Sequence, residues 1–210
     1  MKTRVALADE HSAVREMLRV VLEREGIYEV CGEARTGHEA LKVVRGAKPR
    51  VLLLDITLPE LNGLEVVRQL AAQRETRVLV FSGSCSRTLW LEMVRLHPDG
   101  AVHRQEGLAM LFEALRTVAA GGVYLTRFAS DLRSEVRPGA SRWETLTNRE
   151  RAVLQMIAEG LAAKEIAERL GTAPKTVEHY RAHLMEKLGI HGTALLTRFA
   201  VGRGLVTAEC

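Results

Sequence analysis

Four polar residues stand where apolar runs end: VALA runs into Asp9 and Glu10, VLLL into Asp55, and VLVF into Ser82. Carboxylates brought together without partners repel one another. A hard divalent cation such as Mg²⁺, which takes oxygen ligands, neutralises a cluster of that kind. With the cation bound, one carboxylate oxygen can act as a nucleophile on phosphorus while the metal and nearby donors stabilise the transferring oxygens. The competing reading is that each acid caps the helix that follows it, because Asp and Glu are favoured at helix N-termini. Capping accounts for any one of them; a shared site accounts for all of them arriving at the same end of adjacent strands.

That convergence needs a parallel sheet, and the first 130 residues carry its pattern of short apolar runs alternating with helix-period segments. The strand candidates are Arg4 to Ala8, Glu29 to Glu33, Val51 to Leu54, Arg77 to Phe81 and Ala101 to His103. VLLL and RVLVF are apolar without alternation, as strands buried on both faces are. Helical segments lie between them at Ser12 to Glu25, His38 to Arg45, Leu64 to Gln73, Arg87 to Leu96 and Leu108 to Ala120. In the first of these, Val14, Met17, Leu18, Val21 and Leu22 recur at helical spacing and Gly26 stops the run. The expected fold is an α/β doubly wound domain on a five-stranded parallel sheet over residues 1–127, with its ligand site outside the carboxyl ends of the strands.

Residues 128–144 mix charge, Ser, Pro138 and Gly139 with few apolar positions and read as a linker. Residues 145–210 then read as a small all-α domain, with helices Asn148 to Glu159, Ala163 to Leu170, Pro174 to Leu188 and Thr193 to Val201 separated by Gly160, Gly171 and Gly189. The formal net charge of the chain is +4. It is divided equally, +2 over residues 1–130 and +2 over residues 146–210, so no half is a basic tail and bulk charge makes no case for nucleic acid. Cys31, Cys85 and Cys210 are odd in number and form no CxxC pair, which argues against a disulfide framework or a cysteine zinc site and for a reducing, cytoplasmic setting. No apolar stretch approaches the ~20 residues of a membrane-spanning helix, so no membrane partner is expected.

The order Asp9-Glu10, Asp55 with Pro59 and Gly63 in DITLPELNG, FSG around Ser82 and GAVHR around Arg104 resembles the receiver domain of bacterial two-component response regulators over about residues 1–125. The resemblance implies that Asp55 is the phosphoacceptor and that a sensor histidine kinase is a partner. It implies too that Asp9, Glu10 and Asp55, with the backbone carbonyl of Thr57, hold Mg²⁺, and that Ser82 and Arg104 sense the phosphoryl group. Two positions depart from the family pattern: Arg104 stands where receivers have Lys, and Ala101 where most have an aromatic. Arg keeps the charge but is a planar fork instead of a compact point charge. A phosphorylated receiver with altered switching and a receiver controlled by other means both fit these residues.

In AKEIAERLGTAPKTVEHY, the spacing of Ile166, Ala167, Leu170, Gly171 and Val177 is that of a helix-turn-helix. The wider run from Leu146 resembles the LuxR-type DNA-binding domain, and together the two halves resemble the NarL/FixJ class of response regulators. A recognition helix puts its N-terminal residues at base edges, which selects Lys175, Glu178 and His179 for the groove of double-stranded DNA. Lys164, Thr176 and Arg181 are expected at phosphates. The resemblance also implies a homodimer on DNA, with Thr193 to Val201 as the contact or as packing within its own domain. Ala173 stands where the family has a capping Ser or Thr. An enzymatic reading, a phosphohydrolase with Asp55 as nucleophile, lacks its proton donor two residues on, where Thr57 stands; the expectation is a regulator and no enzyme.

Overall fold

The computed structural model describes residues 2–71, 75–84, 86–135, 142–203 and 205–206, and the chain divides into two compact units, Met1–Val136 and Arg137–Cys210.

The first unit alternates strands and helices: β1 Thr3–Ala8, α1 Ser12–Arg24, β2 Tyr28–Ala34, α2 Gly37–Ala47, β3 Val51–Leu54, α3 Gly63–Ala71, β4 Arg77–Ser82, α4 Arg87–Arg95, β5 Gly100–His103 and α5 Gly107–Ala119. All strands are parallel, in the order β2-β1-β3-β4-β5-β6, where β6 is Tyr124–Leu125. The chain reverses its winding between β1 and β3, so a crevice opens at their carboxyl ends. Every residue of β3 is buried, in keeping with its unbroken apolar run. On one side, Val5, Leu7, Val51, Leu53, Leu79 and Phe81 pack with Leu18 and Leu22 of α1 and Leu111, Leu115 and Val118 of α5.

Three features differ from the sequence expectation. The sheet has six strands instead of five, because two residues after α5 pair with Gly100 and Ala101. The expected linker holds a helix, α6 (Arg127–Ser134), packed on α4, β5 and β6. Ala129 and Leu132 are its buried residues; this short stripe in a polar stretch is masked by composition. Pro138, Gly139 and the expected end of α3 at Gln73 lie outside the described residues. On α1 the buried line is Arg15, Leu18 and Leu22, while Met17 is exposed.

The second unit is helical: α7 Asn148–Ala158, α8 Ala163–Leu170, α9 Pro174–Leu188 and α10 Thr193–Gly202. Gly171, at φ 61°, supplies the left-handed residue that ends α8 and starts the turn to α9. Val177, Leu184 and Leu188 of α9 are buried, and Tyr180 is half-buried.

Thr147 caps α7 by accepting from the Glu150 amide at 3.3 Å, and the Glu150 carboxylate accepts from the Thr147 amide at 2.7 Å. Lys187 of α9 donates to the same carboxylate at 2.7 Å. Burial pushes the Glu150 carboxyl up, yet hydrogen bonds from Lys187 and Thr147 outweigh it and hold the group below the ordinary glutamate range. A carboxyl lowered in the folded state stabilises above its unfolded titration range, and that contribution is lost as pH falls through the folded one. Thermal denaturation should therefore show the second unit losing stability on acidification below the ordinary glutamate range, with a smaller loss in Glu150→Gln.

Ala173, the residue before α9, has extended backbone and no side-chain acceptor for the first-turn amides, and Pro174 takes the first helical position. Ala173→Ser should stabilise the second unit by about 1 kcal/mol, read as a raised denaturation midpoint.

Candidate functional site

The crevice at the strand ends is built around Asp55. Its amide donates to the Ala8 carbonyl at 2.8 Å, continuing the pairing of β1 and β3 one residue past the strand end. The loop that follows closes when Gly63 N–H donates to the Ile56 carbonyl at 2.8 Å, and Asn62 Oδ1 accepts from Glu65 N–H at 3.0 Å to start α3. Glycine is required at 63: a Cβ there would lie 2.5 Å from the Asp55 carbonyl oxygen and 2.8 Å from Ile56 Cα.

Asp55 is buried, at 2 % exposure, and its carboxylate is surrounded by donors. The Ser82 hydroxyl, from the end of β4, donates to Oδ1. The Thr57 hydroxyl donates to Oδ2 at 3.0 Å and its amide to Oδ1 at 3.4 Å. Arg104, just past β5, places Nη2 3.2 Å from Asp55 Oδ2 and in contact with Asp9 Oδ2. One guanidinium thus bridges the two buried carboxylates, and its stem runs past Gly83, where a Cβ would lie 3.3 Å from Arg104 Cδ.

The first acidic loop is held from behind. Arg15 of α1 donates to the carbonyls of Asp9 and Glu10 at 2.7 and 3.1 Å and, through Nε, to Glu33 at 3.1 Å. The His11 amide donates to Asp9 Oδ1 at 2.9 Å, and its ring nitrogen lies 3.2 Å from the same oxygen. Of the expected residues, Asp9, Asp55, Thr57, Ser82 and Arg104 share one network, whereas Glu10 is exposed at its rim. Partial desolvation at the rim raises the Glu10 carboxyl above the ordinary range; His11 and Arg104 oppose the rise, and Asp55 and Asp9 add to it. His11 and Arg15 were not among the expected site residues.

Among the described residues, Asp9, His11 and Asp55 form a group of potential metal ligands with donor atoms within 4.8 Å of one another. Two buried carboxylates and a third acid at the rim are a hard oxygen set that fits Mg²⁺ better than a soft metal. Arg104 neutralises the buried pair in the structure, so a cation entering between them would take over its position.

In the second unit, Lys164, Lys175, Glu178 and His179 are exposed on α8 and α9, and Thr176 is half-buried. Arg181 is tied within the unit, donating to Thr193 Oγ1 at 2.5 Å and lying 3.7 Å from the Glu178 carboxylate. It braces α9 against the start of α10, a contact that the expectation of a phosphate ligand did not include.

Residues 5–116 match the family described as response regulator receiver domain, and residues 144–200 match bacterial regulatory proteins of the luxR family. The transcriptional regulatory protein UhpA of Escherichia coli (strain K12) is 37 % identical over 92 % of this chain and 95 % of its own. The virulence factors putative positive transcription regulator BvgA of Bordetella pertussis (strain Tohama I) is 35 % identical over 90 % and 91 %. RcsB of Salmonella enterica serovar Typhimurium, solved bound to promoter rprA with the phosphomimetic BeF3-, has the same fold: TM-score 0.58 over 96 % of this chain and 99 % of that one, at 22 % identity.

The chain belongs to the response regulators that join a receiver domain to a LuxR-type helix-turn-helix domain. It is a DNA-binding transcription regulator of the NarL/FixJ type. No helix among the described residues is long and apolar enough to cross a membrane.

Proposed function

We propose that this regulator takes a phosphoryl group onto Asp55 in a Mg²⁺-dependent reaction and that phosphorylation controls its binding to double-stranded DNA as a homodimer. The observation that carries the reading is the environment of Asp55, a buried carboxylate at the sheet's switch point whose oxygens meet Ser82, Thr57 and Arg104, with Asp9 across the same guanidinium. An Asp55 oxygen attacks the phosphorus of a sensor histidine kinase's phosphohistidine. The new O–P bond forms as the donor's N–P bond breaks, and the imidazole leaves with the electron pair and takes its proton from solvent. Thr57, Ser82 and Arg104 aim donors at the transferring oxygens, where fixed donors act most strongly in a buried site. Asp9, Glu10, Asp55 and the Thr57 carbonyl would hold Mg²⁺, which would supply charge neutralisation of those oxygens.

Incubation with Mg²⁺ and acetyl phosphate followed by intact-mass measurement tests this reading: one phosphoryl group should be gained, and none when Mg²⁺ is chelated. An unchanged mass with Mg²⁺ present would overturn it and favour a receiver controlled by other means.

At the DNA, Lys175, Glu178 and His179 lie on the exposed face of α9 suited to base edges, with Lys164 and Thr176 at phosphates. RcsB, which shares the fold, was solved on promoter DNA, and other RcsB structures contain dimers on DNA. These relatives support assigning duplex DNA and a dimer to this chain, working in the cytoplasm where the kinase's phosphoryl donor is made. Lys164→Ala should weaken binding uniformly across duplex sequences and reduce the slope of log affinity against log salt by about 1. A salt titration by fluorescence anisotropy measures that slope.

A further inference from the structure

We infer that Trp90 carries the state of Asp55 to helix α6, through an aromatic contact with His103 and Phe128. The inference rests on Asp55 being phosphorylated.

The path is continuous in hydrogen bonds and ring contacts. Ser82 Oγ donates to Asp55 and accepts from the Ser84 amide at 3.3 Å. The Ser84 carbonyl accepts from the indole N–H of Trp90 at 3.0 Å. Trp90, on α4, is 1 % exposed. Its ring centroid lies 5.6 Å from His103 on β5 and 5.4 Å, edge to face, from Phe128 on α6; His103 and Phe128 are 5.5 Å apart. Ala101 and His103 are two residues apart on β5 and so share a face of the sheet. The aromatic bulk over that face therefore comes from α4 and α6, with His103 as its only contribution from β5 among these three rings.

A phosphoryl group on Asp55 offers Ser82 a new acceptor oxygen on phosphorus, two bonds beyond the carboxylate oxygen. The hydroxyl must follow it, and the Ser84 amide is bonded to that hydroxyl. A buried indole N–H left without its carbonyl is costly, so Trp90 follows the Ser84 carbonyl or loses the bond. Either outcome changes the contact with Phe128. Helix α6 is eight residues long with two buried side chains, Ala129 and Leu132, and an exposed Arg87–Glu135 ion pair at its far end. An element held by so few buried groups opens at low cost and is suited to be the part that yields. It also leads directly into the connection to the second unit.

The test uses the full chain, with intact mass and amide hydrogen exchange of Arg127–Ser134 read on the same sample before and after acetyl phosphate and Mg²⁺. Stoichiometric phosphorylation should speed exchange in α6 by about 5-fold or more. Trp90→Phe keeps a ring but lacks the N–H; it should take up the phosphoryl group normally and lose the α6 response. Phe128→Ala should exchange rapidly in α6 before any phosphodonor is added. A phosphorylated parent with unchanged α6 exchange, a Trp90→Phe protein with the full response, or an unmodified Phe128→Ala protein with parental α6 protection would each overturn the inference while leaving the phosphorylation reading intact. An absent phosphoryl addition would overturn that reading and the inference with it.

Discussion

Asp55→Asn should gain no phosphoryl group from acetyl phosphate and Mg²⁺ and should bind duplex DNA with the affinity of the unmodified parent. The substitution keeps the volume and the acceptor for Ser82, while the amide nitrogen can donate to the Thr57 hydroxyl but cannot accept from Arg104, whose guanidinium keeps Asp9; the nucleophilic carboxylate is gone. It also removes one of the two buried negative charges that Arg104 bridges, which relieves rather than creates an uncompensated charge. The first unit should thus stay folded, and loss of the mass gain can be assigned to chemistry. Intact mass and anisotropy on the same preparation check both halves. A mass gain retained in Asp55→Asn would place the phosphoacceptor elsewhere.

A large loss of stability is expected at Gly63→Ala. The added Cβ would meet backbone at 2.5 Å from the Asp55 carbonyl oxygen and 2.8 Å from Ile56 Cα, and backbone cannot rotate away as a side-chain end can. Relief requires moving α3 or the loop from Ile56 to Asn62, and the second of these carries Thr57 away from Asp55. Destabilisation of the first unit on the order of 3 kcal/mol follows from overpacking at a buried site. Urea denaturation should show a lower midpoint for that unit, and the protein that remains folded should phosphorylate more slowly than its parent.

Much of this site is legible in the sequence because a strand buried on both faces ends visibly. An unbroken apolar run such as VLLL cannot continue into a charged residue inside the sheet, so Asp9, Asp55 and Ser82 mark strand ends, and parallel pairing puts those ends together. What the run does not show is which partner each end meets. Arg104 follows β5, two strands from β3 in the sheet, and only the order β3-β4-β5 and the reach of a long side chain let it bridge Asp55 and Asp9. Arg15 was missed for a different reason: a helical Arg next to apolar positions reads as part of the solvated face. Its register with Leu18 and Leu22, at steps of three and four, was the available signal, since a buried Arg on that line needs acceptors and the end of β2 offers Glu33.

The connection was the least legible part. Composition over residues 128–144 is that of a linker, and a helix whose buried set is Ala129 and Leu132 barely changes it. A contact of α6, Phe128 with Trp90 and His103, joins residues 25 or more positions apart in sequence. Local periodicity carries no information about such a contact. In the second unit the reverse holds, because helix-turn-helix packing is local and Gly171, Val177, Leu184 and Leu188 lie close together along the chain.

The central claim is that phosphorylation of Asp55 controls DNA binding, and its most direct measurement is duplex affinity of mass-verified phosphorylated protein against the unmodified chain at one fixed salt concentration. The claim predicts a change in affinity of about 5-fold or more, absent from Asp55→Asn treated in the same way. Equal affinity for a stoichiometrically phosphorylated chain and its unmodified form would contradict it.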